Sequence, residues 1–211
     1  MRKLLLALIS LTLLACESAY YNTMEQFGVH KRDILVERIT DAQSAQQEGQ
    51  EQFKDALEQF RSVVNFDGGE LAVVYDKLNA EFEDSEDAAE TIRGRIKDVE
   101  SVAEALFDEW SAELDLYTNQ TLRRESESQL RETRSRYDRL IAAMHRAEDT
   151  LDPVLDSLRD NVLYLKHNLN ARAIASLRGE LDSIDTNVDT LIDAMQTAIA
   201  ESDAFISQMR Q

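Results

Sequence analysis

The sequence predicts an all-α protein, an elongated antiparallel helical bundle or coiled coil of three to four long helices. Three observations carry that prediction. Through most of the chain apolar residues recur at alternating steps of four and three, which lines them up along one seam of a helix. Proline occurs once and glycine six times in 211 residues, so long stretches contain no helix breaker. Aromatic residues make up 7% of the chain, and turn signals do not recur at the roughly 8–12-residue spacing of a sandwich or barrel. A hydrophobic fraction of 43% is ample for a core, and the length suits a single domain.

The first element is not part of that bundle. Met1-Arg2-Lys3 is a short positive segment, and Leu4 to Leu14 is an apolar run broken only by Ser10 and Thr12. A stable membrane span needs about 20 apolar residues, so the run reads instead as the hydrophobic region of a secretory leader. It ends in Leu13-Leu14-Ala15-Cys16, which looks like a bacterial lipobox, with a small residue before the cut and the chain's single cysteine ready to accept a diacylglyceryl group. This predicts a signal peptide over 1–15, a lipidated tether over 16–22 and one helical domain over 23–211. Loss of Arg2 and Lys3 moves the net charge from −18 to about −20. Acyl chains contribute about 0.8 kcal/mol per buried methylene, and more than one chain makes anchoring durable. Glu17, where an Asp resembles an inner-membrane retention signal, favours the outer membrane on its periplasmic face, with the inner membrane as the alternative. Tyr20 and Tyr21 suit the headgroup level.

The first helix follows from the seam Leu35, Ile39, Ala42, Gln46, Gly49, Phe53, Ala56, Phe60 and Val63, with Gln46 and Gly49 as its weak members. The thin stretch from Ala42 to Gly49 leaves a homo-oligomer open. Asn65-Phe66-Asp67-Gly68-Gly69-Glu70 ends the pattern with two glycines that can supply a positive φ. The second seam runs Leu71, Tyr75, Leu78, Phe82, Ser85, Ala89, Ile92, Ile96, Val99, Ala103, Leu106, Trp110, Leu114 and Tyr117. Val102 and Phe107 widen it, so this helix is expected to touch more than one partner. A second break falls at Thr118-Asn119-Gln120-Thr121, with Thr118 or Asn119 as the cap.

The pattern resumes with Leu130, Tyr137, Ile141, Met144, Leu151, Leu155, Leu158, Val162, Leu165 and Leu169. Asp152-Pro153 reads as a kink, or as a cap followed by proline at the first helical position. Leu169, Ala173, Leu177 and Leu181 stand four apart, a stutter in the heptad, while Asn168 and Asn170 could mark a third turn. The last seam is Leu181, Ile184, Val188, Leu191, Met195, Ala198, Phe205 and Met209.

Charge is partitioned along the chain. Residues 70–117 hold fifteen acids against four bases, and residues 118–147 hold seven arginines against four acids. The third helix is therefore expected to turn its arginines toward the acidic flank of the second, fixing register more than adding stability, since exposed ion pairs are worth about 0–1 kcal/mol. An excess of acid excludes nucleic acid as a partner, because phosphate binding is driven by Lys and Arg.

Catalytic signatures are missing. There is no phosphate-cradling glycine loop ending in Lys, no nucleophile elbow and no H-E-x-x-H. His30, His145 and His167 are far apart in sequence, and a single Cys allows neither a disulfide framework nor a cysteine-based metal cluster. The Glu-x-x-His pattern of di-iron bundles does not occur. The acidic run Glu81, Glu83, Asp84, Glu86, Asp87 and Glu90 lacks the loop glycine of a calcium site and reads as a solvated or arginine-paired face. No cofactor, no metal and no enzyme activity are expected.

Two polar constellations remain. Phe27 to Ile34, with His30, Lys31 and Arg32, lies beside the anchor and suits lipid headgroups or the turn that starts a helix. Lys166, His167, Asn168, Asn170 and Arg172 place two amides, an imidazole and two cations within seven residues. That cluster is either a capped turn held by local hydrogen bonds or a contact surface for a partner protein or cell-wall polymer.

On these residues the chain resembles an uncharacterised family of proteobacterial lipoproteins built on a domain of unknown function. The resemblance rests on Tyr20-Tyr21-Asn22-Thr23-Met24-Glu25 with Phe27 to Ile34, on Phe66-Asp67-Gly68-Gly69, and on Glu83-Asp84-Ser85-Glu86-Asp87-Ala88-Ala89. It continues in Gln129-Leu130-Arg131-Glu132-Thr133-Arg134 and in Leu165 to Leu177, and so covers essentially the whole mature chain. Proteins of this kind are sometimes labelled DNA-repair ATPases, a label these residues contradict, since no nucleotide motif is present and the leader exports the chain. The expected function is a non-enzymatic coiled-coil lipoprotein serving as an envelope scaffold, spacer or adaptor. The alternative is a binding module for peptidoglycan or an envelope enzyme through residues 166–172.

Overall fold

The computed structural model describes residues 30–66, 68 and 70–210. Its helices are α1 (Lys31–Val64), α2 (Leu71–Glu113), α3 (Gln120–Asp149), α4 (Leu151–His167) and α5 (Ala171–Met209), with a 3-10 turn at Leu114–Leu116 and no strand among the described residues. The leader, Cys16, the tether and residues 23–29 lie outside them. Among the described residues no helix is long and apolar enough to cross a membrane.

Cross-helix contacts fix the topology. Gln52 Nε2 donates to the Glu81 carbonyl at 3.3 Å and Gln59 Nε2 to that of Val74 at 3.4 Å, so numbers fall along α2 as they rise along α1. His145 lies 2.9 Å from Glu100 and Arg159 2.9 Å from Glu86, which sets α3 and α4 as one interrupted rod antiparallel to α2. α5 runs back along α4, with Asn187 Nδ2 3.4 Å from Ser157 Oγ, and along α1, with Gln43 Nε2 2.7 Å from Asp203. α1 packs on α5 as well as on α2, and α5 also packs on α3, so four rods close into an up-down-up-down ring. One end, here proximal, carries His30, the α2–α3 turn and Arg210. The other, distal, carries the α1–α2 turn and the α4–α5 turn.

The seam of α1 is the core of this ring. All nine of its predicted positions are buried, Gln46 and Gly49 included. Gly49 is there because two neighbours fill its space: an added Cβ would stand 2.7 Å from Ile92 Cδ1 and 3.6 Å from Met195 Cε. The thin stretch at Ala42–Gly49 is thus covered from within, by α2 and α5. On α2, Val99, Val102, Ala103, Leu106 and Phe107 are all buried, and the widened stripe faces both α1 and α3. Gly68 in the first turn takes φ +153°, and Glu70 stands at the N-cap of α2.

Caps decide the remaining boundaries. Asn119 Oδ1 accepts from the backbone N–H of Thr121 at 2.9 Å and Leu122 at 3.3 Å, which starts α3. The interruption expected at Asp152-Pro153 lies two residues earlier: Thr150 is the N-cap of α4 and Pro153 is its third residue, not its first. The cause is still Pro153. It has no N–H, and its ring is incompatible with the carbonyl four residues back, Asp149, which is where α3 ends. The Thr150 hydroxyl then donates to the Ala147 carbonyl at 2.7 Å.

Two expectations are corrected. Leu169 is exposed rather than in the seam, and the run of four-residue steps after it is no stutter, because the chain turns at residues 168–170. The arginines of α3 do not face the acids of α2 as a row. Arg131 and Arg136 pair within α3, with Glu127 and Glu132, and Arg134 lies 5.3 Å above the Phe107 ring. Only Arg123 reaches an acid before α3, Asp115 in the 3-10 turn. The bonds across to α3 and α4 come instead from Arg93, Glu86 and Glu100 of α2.

Candidate functional site

The five residues Lys166, His167, Asn168, Asn170 and Arg172 come together at the distal end, in the turn between α4 and α5. Asn168 Nδ2 donates to the Tyr164 carbonyl at 2.9 Å, closing the end of α4. Asn170 Oδ1 accepts from Arg172 N at 3.0 Å and Ala173 N at 3.2 Å, capping α5. Both amides therefore hold the turn, as its capped-turn reading requires. Lys166, His167 and Arg172 are exposed around it, beside the exposed apolar side chains Leu163, Tyr164 and Leu169. The surface this makes is cationic and apolar on a protein of net charge −18.

The proximal end holds a cleft of about 500 Å³. Leu106, Trp110, Phe205 and Met209 contribute its apolar wall, and Arg32, Glu109, Glu113, Glu132 and Arg136 its charged rim. Trp110 Nε1 donates to Ser126 Oγ at 2.8 Å, which satisfies the indole and fixes α3 on α2. Lys31, 4% exposed, reaches Glu109 at 3.0 Å. The basic cluster near His30 is thus divided in use: Lys31 locks the start of α1 to α2, while Arg32 faces the cleft. One sign of this place is legible in the sequence, the stripe that Val102 and Phe107 widen between 99 and 110, but its walls are not, since α5 returns to this end from far along the chain.

Midway along the bundle is a polar network. His145 Nδ1 lies 3.0 Å from Glu148 and Nε2 2.9 Å from Glu100, so both ring nitrogens meet carboxylates. Burial opposes the imidazolium, but the hydrogen bonds to Glu148 and Glu100 and their charges outweigh it and raise its pKa above 6.5. Arg93 joins from α2, 4.0 Å from Glu148 and 2.5 Å from Asp152. Nearby, burial followed by the charges of Glu100, Asp138 and Glu104 pushes the Tyr137 phenol well up, so it stays neutral. Its ring meets Phe107 edge-on at 5.4 Å. Among the described residues no group of three His, Cys, Asp or Glu side chains is arranged to hold a metal ion. The acidic run on α2 is mostly exposed, with Glu86 bound by Arg159 and Glu81 by Gln52.

These features define the class: a four-rod antiparallel bundle with a capped cationic tip at one end and a cleft at the other. The chain belongs to the family described as Protein of unknown function (DUF2959), which it matches over residues 20–209. No curated protein matches it.

Proposed function

We propose that this protein is a non-enzymatic lipoprotein of the bacterial envelope, anchored by Cys16 and acting as a scaffold, spacer or adaptor. The observation that carries this reading is Leu13-Leu14-Ala15-Cys16 at the end of a leader-like apolar run, with the only cysteine of the chain in the acceptor position. A rod built on helices of 34 to 43 residues supports the spacer role, since 34 residues alone extend about 50 Å. The anchor precedes α1, whose first residue lies at the proximal end. Glu17 favours the outer membrane, periplasmic face. Labelling wild type and Cys16→Ser with an alkyne fatty acid, then fractionating membranes, tests the reading. Label on wild type alone, in the outer-membrane fraction, is the expected result. Membrane retention of Cys16→Ser without label would count decisively against it.

A second reading, a binding module for peptidoglycan or an envelope enzyme, is favoured by one observation: Lys166, His167 and Arg172 are exposed together at the distal tip. Because Asn168 and Asn170 hold the turn, the informative variant leaves them in place and changes the three charged or titratable residues to Ser. Loss of partner cross-linking with helicity intact supports this reading, and unchanged cross-linking removes it.

A further inference from the structure

Leu116 is 79% exposed, more than any other large apolar side chain described, and Tyr117 and Leu122 are exposed with it in the turn between α2 and α3. Leu116 and Tyr117 end the α2 side of this turn and Leu122 opens its α3 side, so three exposed apolar side chains border one turn. The exposed turn from Glu113 to Glu125 holds three acids, Glu113, Asp115 and Glu125, against Arg123 and Arg124, so its charge nearly cancels in a protein of net charge −18. Arg123 is held by Asp115 at 3.1 Å, while the Arg124 Nε donates to the Gln120 carbonyl at 3.2 Å. Exposed leucines beside a tyrosine, with Arg124 the one cation next to them, among the described residues, that no acid binds, suit the boundary between headgroups and acyl chains.

Position separates this tip from the distal one, whose chemistry is similar. Lys31 stands level with Glu109, so the chain from 110 to 120 projects roughly 10 Å beyond the start of α1. The connection from Cys16 to His30 spans at most about 50 Å even if fully extended. The distal tip lies a full α1 length, again about 50 Å, from His30, so only the proximal tip reaches the anchoring leaflet end-on without the connection at its limit.

We infer that the α2–α3 turn is a second membrane contact, with Leu116 and Leu122 at the acyl boundary, Tyr117 at the headgroups and Arg124 toward lipid phosphate. This rests on the lipid-anchor reading, which it extends by assigning the rod an upright orientation on the leaflet that holds Cys16. Two contacts hold such a body far better than one acyl anchor alone.

The test uses the lipidated mature chain on vesicles of phosphatidylethanolamine with a minority of phosphatidylglycerol. With the sulfur of Cys16 blocked by its lipid, Leu116→Cys supplies the one free thiol for a polarity-sensitive fluorophore, and Leu169→Cys does the same for the distal tip. Lipids carrying a nitroxide near the top of the acyl chain should quench about half the emission at 116 and under about a tenth at 169. Co-flotation and fatty-acid label are read on the same samples. Protein that floats with label but shows no quenching at 116, or equal quenching at both sites, overturns the tip contact and leaves the anchor standing. Protein that neither floats nor carries label overturns both.

Discussion

Gln46 sits in the centre of the bundle with no exposure, and neither its Nε2 nor its Oε1 has a hydrogen-bond partner. An amide desolvated without compensation costs about 1–3 kcal/mol. Gln46→Met keeps the volume and removes the polar atoms, and is expected to raise the unfolding free energy by about that amount in urea titrations. A less stable variant would mean that the amide has a partner in solution. His145 yields a prediction with a definite sign. A histidine whose folded pKa lies above the unfolded value of about 6.5 contributes stability that is complete below that value and lost as pH rises through the folded one. The groups around it are Glu100 and Arg93 from α2, Glu148 on its own helix and Asp152 from α4. The melting temperature of wild type should therefore fall relative to His145→Gln as pH climbs above 6.5, and a constant difference would remove the network from the account.

At the scale of the element, capping is the term most open to measurement. Asn170→Ala removes the acceptor for two backbone N–H groups at the start of α5 and should cost about 1 kcal/mol, with exchange at Arg172 and Ala173 accelerated. Leu163→Ser, on the same surface but without a capping bond, should leave stability within about 0.5 kcal/mol. The cap at Asn119 was legible only as one of two candidates beside Thr118, and Asn170 only as one of two asparagines marking a turn, because the residue that caps is settled by which side chain meets the free backbone N–H groups. The seam of α1 was legible, since the 4-3 period survives even where its members are Gln46 and Gly49. Legibility failed where two principles competed. Pro153 was visible, but its effect falls four residues back on the Asp149 carbonyl rather than on its own position. Ser126, Thr133 and Ser202 are buried, and nothing in their polarity announced it; Ser202 hides its hydroxyl on the Ala198 carbonyl of its own helix. Leu169 continued the period yet lies in a turn, because two flanking asparagines outweigh one leucine. The arginines of α3 could not be assigned at all, as partners four residues away on the same helix compete with those on α2.

Over the whole molecule, 41 acids face 23 bases, and about half of the ion pairs among the described residues join neighbours three or four apart on one helix. Such pairs each contribute about 0–1 kcal/mol, so the dominant long-range term is mutual repulsion of the excess acids. Added salt shortens the Debye length from about 30 Å at 0.01 M to under 10 Å above 0.1 M. The melting temperature is accordingly expected to rise by a few degrees over that range in calorimetry, and a fall would mean that the cross-helix pairs of Arg61, Arg93 and Arg159 outweigh the repulsion.

An even number of rods has a consequence for chain connectivity. His30, Arg32, Met209 and Arg210 line one shallow depression, so the two ends of the bundle-forming chain lie side by side. A circular permutant follows: a short Gly-Ser bridge from 210 to 30, with new ends cut between Asn168 and Asn170, would keep every helix and every helix pairing intact. In that rearranged chain the ends of the polypeptide emerge at the distal tip, so a lipid attached there would present the same rod upside down.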